Sequence, residues 1–276
     1  MTENGIWRLA LPLALAQMLF FVAPLLLLAA TSFATDENLR AWSLRAWRDA
    51  LGDDFNIASV INTLRLGALA VLATAVFAVP LALVHMAAGP TLRRVILIAA
   101  VLPLLTSVVV RTFAWIVILG REGVINATLQ GLGITSAPVP LLQTEHGLIL
   151  ALTQIEMPLM LLPLLAALAR IDPALLDASA SLGGSLFRTL RKVVLPMALP
   201  GLIAGATLVF ASAAMAFISQ GVIGGGRLNY LPAQVWQQAM VVFDWPLAAA
   251  LAITLMGSVL VVAAALSLLG AKARHA

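Results

Sequence analysis

The chain has 276 residues, of which 62% are hydrophobic and 10% charged, and its mean hydropathy is +1.05. These values exclude an ordinary soluble domain and indicate a protein whose main solvent is the lipid bilayer. The formal net charge of +4 does not indicate a nucleic-acid partner, because the basic residues stand in short clusters between apolar runs.

Six apolar segments are long enough to cross a membrane. A transmembrane helix needs about 20 mostly apolar residues, because it crosses about 30 Å of hydrocarbon at about 1.5 Å per residue. We therefore predict an all-α integral membrane protein with one transmembrane domain over residues 1–276. The predicted helices cover residues 9–33, 57–86, 95–119, 147–169, 197–222 and 246–270. A cleaved signal peptide is the alternative interpretation of the first segment.

The positions of Lys and Arg favour cytoplasmic N- and C-termini. In this orientation the cytoplasmic segments carry Arg8, Arg93, Arg94, Arg170, Arg188, Arg191, Lys192, Lys272 and Arg274. The first outer loop carries further arginines together with five acidic residues. In that loop Trp42, Leu44, Trp47 and Leu51 recur at near-helical spacing, which predicts a short helix in the outer headgroup region.

The connection between the fourth and fifth helices, residues 170–196, predicts two short helices joined by a sharp turn. Asp172 is typical of a helix N-cap and Pro173 of a first helical position. Gly183 and Gly184 follow and supply the turn. The second helix is basic, and we expect Pro196 to close it.

This connection resembles the "EAA" signature of the permease subunits of bacterial binding-protein-dependent importers. The signature has an acid-Ala-Ala start, a Gly six positions on and an apolar-x-Leu-Pro end; in register with it are Asp177, Ala178, Gly183, Val193, Leu195 and Pro196. Asp replaces Glu, Ser179 replaces the second Ala and Val193 replaces Ile. The resemblance implies a type I importer permease (MetI-like) bundle whose connection forms a coupling helix. The residues expected to couple to a separate ATPase subunit are Asp177, Ala178, Ser179, Ser181, Leu182, Gly183, Phe187 and Arg188.

A second resemblance indicates which group of importer permeases the chain is similar to. Residues 110–115 and 119–126, together with Asn62-Thr63-Leu64 and Pro158, are similar to spermidine/putrescine-type permeases. This implies the import of a small charged nutrient, preferably a polyamine; an opine, aminoethylphosphonate or an amino-acid-like substrate is the alternative. The resemblance implies that the chain lies in the bacterial inner membrane. The implied partners are a second, homologous permease subunit, two ATP-binding subunits and a periplasmic substrate-binding protein. We expect no cofactor on this chain, and ATP and Mg on the partner ATPase.

Two ionisable residues fall inside predicted spans, which makes them candidates for a substrate pathway. Arg111 either takes part in that pathway or extends to the outer interface, and Glu156 either attracts a cationic substrate or pairs with Arg111 or a partner subunit. Further polar residues are predicted near the outer mouth, where they receive substrate or simply pack the loop. The pathway candidates are Arg111, Glu156, Gln220, Asn229, Tyr230, Asp244 and Trp245.

Two other functions are weighed against import. An intramembrane enzyme needs a catalytic constellation, but the chain has no Cys, and His85, His146 and His275 lie near separate predicted helix ends, loops or termini. No HExxH, GxSxG or Walker phosphate-binding loop occurs either, so we expect neither catalysis nor a metal site. An ion-coupled secondary carrier is compatible with Glu156, but it does not explain the connection between helices four and five.

Overall fold

The computed structural model describes residues 11–12, 15–36 and 40–273, so Arg8, Arg274, His275 and the start of the predicted first helix lie outside the described residues. Apart from one isolated bridge between Ala34 and Trp42, the described chain forms helices and no strand. The helices in chain order are α1 (Leu15–Ser32), α2 (Arg45–Gly52), α3 (Asp54–Ala87), α4 (Pro90–Leu105), α5 (Val108–Leu119), α6 (Val124–Gly131), α7 (Glu145–Leu168), α8 (Pro173–Ser181), α9 (Leu186–Ala214), α10 (Phe217–Gly224), α11 (Leu231–Gln237) and α12 (Trp245–Ala273).

Long apolar helices dominate this chain, and the all-α class predicted from the sequence is confirmed. Within the described residues, five helices are long and apolar enough to span a membrane, namely α1, α3, α7, α9 and α12. The pair formed by Pro90–Leu105 and Val108–Gly131 adds a sixth if it counts as one span, although it is bent by 106°.

The bend corrects the prediction of one straight helix over 95–119. Pro103 has no N–H to donate, and the end of α4 tightens into a 3₁₀ turn at Leu102–Leu105. Thr106 and Ser107 then adopt extended backbone angles, and the Thr106 hydroxyl donates to the Pro103 carbonyl at 2.8 Å. The chain therefore restarts as α5 in a new direction.

The prediction that Pro196 closes a short basic helix is wrong. The helix that begins at Leu186 continues through Pro196 to Ala214. A π turn at Leu190–Val194 precedes the proline, in which Leu195 N donates to Leu190 O. Because the wider turn changes the pairing of the carbonyls before Pro196, we attribute the continuity of α9 to this π turn. The basic segment and the membrane helix are thus a single element.

The predicted fifth helix over 197–222 is also corrected, because it breaks at Met215 and Ala216 between α9 and α10. The Gln220 side chain supplies the reason. Its amide nitrogen donates to the carbonyls of Ala213 and Ala214 at 3.0 and 3.3 Å. A side-chain donor thereby serves carbonyls that backbone N–H groups would otherwise satisfy in a continued helix.

Contacts divide the chain into two compact units, which are Met1–Ile61 with Leu231–Gly257 and Asn62–Tyr230 with Ser258–Ala276. In the first unit, the Trp47 indole stacks at 5.6 Å from the Phe33 ring and donates to the Ser32 hydroxyl at 3.2 Å. In the second, α7 and α9 form the most extensive helix pair. A Cβ added to Gly201 would lie 2.6 Å from the Pro163 carbonyl oxygen, so only glycine permits this approach.

Candidate functional site

The segment from Asp172 to Arg188, here called the tip, is a helix-turn-helix built by short-range hydrogen bonds. The Asp172 carboxylate caps α8 by accepting from Ala174 N at 2.9 Å. Gly183 then takes a left-handed conformation with φ +70°, and Gly184 N donates to Ser179 O at 2.9 Å. This arrangement ends α8 and reverses the chain, as the glycine pair predicts.

Serine and threonine hydroxyls fix the turn against the start of α9. Ser179 Oγ lies 2.7 Å from Thr189 Oγ1, and Ser185 Oγ accepts from Arg188 N at 3.4 Å as the cap of α9. A Cβ at Gly184 would lie 2.7 Å from the Ser179 carbonyl oxygen. The two helices of the tip are therefore held in one geometry by contacts within the segment itself.

The tip exposes large apolar side chains. Leu182, Leu186 and Phe187 are 88%, 78% and 73% exposed, and we call these three residues the tip patch. The remaining predicted coupling residues, Asp177, Ala178, Ser181 and Arg188, are exposed as well, whereas Ser179 is half-buried. Apolar side chains grouped on a polar turn are typical of a surface that binds another protein.

Glu156 and Arg111 come close together, but each contacts another group. The buried Glu156 carboxylate accepts from the Ser212 hydroxyl at 3.0 Å, which joins α7 to α9. The Arg111 guanidinium donates from Nη1 to the Ile155 carbonyl at 3.2 Å, which joins α5 to α7. Within the described chain these two residues form no ion pair. Both side chains therefore tie neighbouring helices together inside the apolar bundle.

Gln220 lies beside another contact between buried side chains. The hydroxyls of Thr112 and Ser219 are 3.0 Å apart, which joins α5 to α10. The Gln220 side chain is 2% exposed and caps the end of α9, while its Oε1 has no partner among the described residues. The geometry assigns Gln220 the role of a helix cap at the break between α9 and α10.

An ion pair that the sequence analysis missed lies near two of the predicted residues. Arg65 on α3 donates through two guanidinium nitrogens to the Glu145 carboxylate at the start of α7, with Nε 3.2 Å from Oε1. The signal was present, since Arg65 is a lone charge in the predicted helix 57–86 and Glu145 stands two residues before the predicted helix 147–169. Asn229 accepts through its backbone carbonyl from Asn62 Nδ2 at 3.4 Å.

The adjacent Tyr230 is buried at 2% exposure. Burial, with a smaller contribution from the Glu145 carboxylate, raises the pKa of Tyr230 to about 12 against the opposing effect of Arg65. The hydroxyl therefore remains protonated at physiological pH. A neutral phenol next to an ion pair is suited to hydrogen bonding and not to proton transfer near pH 7.

Asp244 and Trp245 belong to the first compact unit and stand at the start of α12. The Asp244 carboxylate accepts from Leu247 N at 3.1 Å and pairs with Arg45 at 3.5 Å. Trp245 is 37% exposed. These contacts make Asp244 the N-cap of a membrane helix, which accounts for its presence in this segment.

The described residues hold no group of three or more His, Cys, Asp or Glu side chains that is arranged for a metal ion. Arg111 and Glu156 join helices to one another inside the bundle, and Leu182, Leu186 and Phe187 are exposed on the tip. Chemically, this arrangement is suited to transmitting movement between a docked protein and the membrane helices.

Comparisons with known proteins identify the family of the chain. A sequence profile of the family described as "Binding-protein-dependent transport system inner membrane component" matches residues 86–275. The spermidine/putrescine transport system permease protein PotB of Haemophilus influenzae is 30% identical over 257 residues, covering 92% of this chain and 90% of that protein. The putative 2-aminoethylphosphonate transport system permease protein PhnU of Salmonella typhimurium is 29% identical over 255 residues, covering 87% of this chain and 88% of the relative.

The fold is similar to that of solved transporter structures. The structure of a bacterial ABC transporter involved in the import of the acidic polysaccharide alginate superposes with a TM-score of 0.78. The superposition covers 98% of this chain and 96% of the transporter chain at 16% sequence identity. At this identity the likeness establishes the fold alone.

Proposed function

The chain belongs to the family of binding-protein-dependent transport system inner membrane components, and we propose that the tip is the surface through which it binds a separate ATP-hydrolysing subunit. Membership makes the chain a multi-pass inner-membrane permease subunit of an ABC importer and not an enzyme. The coupling role proposed here for Asp177, Ala178, Ser179, Ser181, Leu182, Gly183, Phe187 and Arg188 goes beyond that membership.

The tip patch is the observation that carries this proposal. Leu182, Leu186 and Phe187 are each more than 70% exposed, and hydrogen bonds within the tip fix the backbone that carries them. Full burial of each such side chain by a partner would contribute about 1.5–3 kcal/mol of favourable free energy. A preorganised apolar patch loses little conformational entropy on docking, so it favours a specific protein partner.

In the mechanism we propose, ATP binding closes the two ATPase subunits and displaces the tip. Because α9 runs without a loop from the tip into the membrane, the displacement reaches the helix that carries Ser212 and packs along α7. The bundle then changes from inward-facing to outward-facing, and ATP hydrolysis resets it. This requires the tip, and with it both chain termini, to lie on the cytoplasmic side.

The complete importer we propose contains this chain, a second homologous permease, two ATP-binding subunits and a periplasmic substrate-binding protein. We infer a small charged nutrient as the substrate, preferably a polyamine, because the Haemophilus influenzae relative is named for spermidine and putrescine. An aminoethylphosphonate-type substrate is the second candidate, supported by the Salmonella typhimurium relative. The two are distinguished by an uptake assay in proteoliposomes that contain the whole importer. Labelled spermidine or labelled 2-aminoethylphosphonate is supplied in excess outside the vesicles.

Docking is tested by copurification of the ATPase subunit with variants of the tip patch. Phe187→Ala and Leu182→Ser each remove an exposed apolar side chain, and we expect a loss of about 2 kcal/mol, or about 30-fold in affinity. Leu132→Ser is the matched control, because Leu132 is 70% exposed and lies outside the tip. Normal ATPase binding by both tip variants would exclude the tip as the docking surface.

A further inference from the structure

A cavity of about 240 Å³ lies between α3, α7 and α9. Its walls are aliphatic and include Val79 and Leu83 on α3, Leu168 on α7, and Leu199 and Leu202 on α9. Among the residues that the structure describes, Arg191 is the only charged one that lines it. An engineered apolar cavity of about 150 Å³ already accepts a benzene molecule, so this one has room for part of a hydrocarbon chain.

The cavity combines this apolar interior with an unpaired cation. Within the described part of the chain, the Arg191 side chain forms no hydrogen bond or ion pair, and it is exposed. Arg188 and Lys192 stand beside it in the sequence and are exposed too. The positive charge at this end of α9 attracts anionic groups, and a guanidinium binds phosphate oxygens in a bidentate manner.

We propose that this cavity binds an anionic phospholipid, with an acyl chain between α3, α7 and α9 and the lipid phosphate on Arg191. The three helices that form the walls are all long and apolar enough to span the membrane, so lipid is the solvent that surrounds them. A free phosphate ion matches the arginine but not the aliphatic walls. An uncharged lipid matches the walls but leaves the arginine without a partner.

The position of the site connects it to the tip. Arg191 and Val194 both line the cavity and both belong to the π turn at Leu190–Val194, through which the tip continues into α9. A lipid in the cavity packs against this turn and restrains its movement relative to α7. Anionic lipid is therefore expected to bind in the cavity and also to change the coupling between ATP hydrolysis and transport.

Native mass spectrometry of the whole importer, purified in detergent and supplied with phosphatidylglycerol or phosphatidylcholine, tests this proposal. Arg191→Gln is compared with Lys192→Gln. The second variant also removes one positive charge, but the Lys192 side chain does not line the cavity. We expect phosphatidylglycerol to be retained by the wild type and by Lys192→Gln, and about fivefold less by Arg191→Gln. Leu199→Trp, which fills the cavity, is expected to reduce retention with every charge intact.

Three results would overturn the proposal. Equal loss of lipid in the two charge variants would mean a diffuse attraction to the basic surface. Equal retention of phosphatidylcholine and phosphatidylglycerol would mean that Arg191 does not select for an anionic headgroup. Efficient crosslinking of Leu199→Cys to the second permease would mean that a helix of that subunit, and not a lipid, occupies the cavity. Lipid retention is measured without transport, so it does not depend on the identity of the substrate.

Discussion

Replacing Gly183 perturbs the turn of the tip without introducing a clash. Its φ of +70° is in the left-handed region, and a Cβ built there meets no atom within 4 Å. The cost of Gly183→Ala is therefore backbone strain alone, about 1–2 kcal/mol, with a β-branched Val at the upper end. Such a cost lowers the population of the native turn by about 5- to 30-fold relative to competing conformations.

The assay for this prediction compares ATP hydrolysis with substrate uptake in proteoliposomes that contain the whole importer. We expect Gly183→Ala and, more strongly, Gly183→Val to lower the uptake per ATP hydrolysed while membrane insertion is unchanged. Gly183→Asn should retain most of the coupling, because asparagine tolerates the left-handed conformation. Gly52→Ala is the matched control, since a Cβ there also meets nothing and its φ is not positive.

The reasoning fails if Gly183→Val couples as well as the wild type, because the left-handed turn would then be unnecessary for transmission. It also fails if Gly183→Asn is as impaired as Gly183→Val. That outcome would show that any side chain at this position interferes with docking, and that backbone conformation is not the cause.

Three further predictions concern the second compact unit. Gly201→Leu should destabilise the detergent-solubilised protein by about 3 kcal/mol because of overpacking against α7, whereas Gly257→Leu, at a glycine with open space, should leave its melting temperature nearly unchanged. Gln220→Leu should cost about 1–3 kcal/mol in the same thermal assay, since the Ala214 carbonyl loses its side-chain donor and the Ala213 carbonyl keeps the Ala216 N–H at 3.3 Å. Unchanged stability would argue against the cap. Glu145→Gln should lower the pKa of Tyr230 below about 12, because the variant lacks the carboxylate that raises this pKa and keeps Arg65. The chain has a single tyrosine, so an NMR titration of labelled tyrosine measures this pKa directly, and an unchanged pKa contradicts the prediction.

Apolar runs were sufficient to predict where most of the long helices lie, because the cost of placing polar backbone in lipid leaves few alternatives. They were not sufficient to predict the breaks. Hydropathy treats Pro103 and Pro196 alike, yet α4 ends beside the first and α9 continues through the second by forming a π turn. The choice between the two depends on neighbouring helices, which a single sequence does not describe.

The tip could be predicted because its signals are local. Asp172, Pro173 and the glycine pair act on their immediate neighbours, and the structure places each in the conformation that its chemistry favours. The exposure of Leu186 and Phe187 could not be predicted from the pattern, since two apolar residues at the start of a helix are equally compatible with burial.

The intramembrane residues depend on distant partners, which limited their interpretation. Glu156 and Arg111 were recognised as unusual charges, but their partners, Ser212 and the Ile155 carbonyl, are visible only in the folded chain. Arg65 directly precedes the uncharged apolar run over 66–92, so the run that predicts α3 does not include it. The Gly201-x-x-x-Gly205 spacing was equally available in the sequence, and it marks the surface where α9 meets α7.

The continuity of α9 allows it to tilt as one stiff rod about its contact with α7. Its 29 residues extend about 43 Å, and the close contact at Gly201 divides it into arms of about 22 and 20 Å. If that contact acts as the pivot, a push of about 4 Å at Leu186 tilts the rod by about 10° and swings Ala214 by a similar distance in the opposite direction. Because the Gln220 side chain on α10 donates to the Ala213 and Ala214 carbonyls, this swing carries the start of α10 with it across the break at Met215 and Ala216.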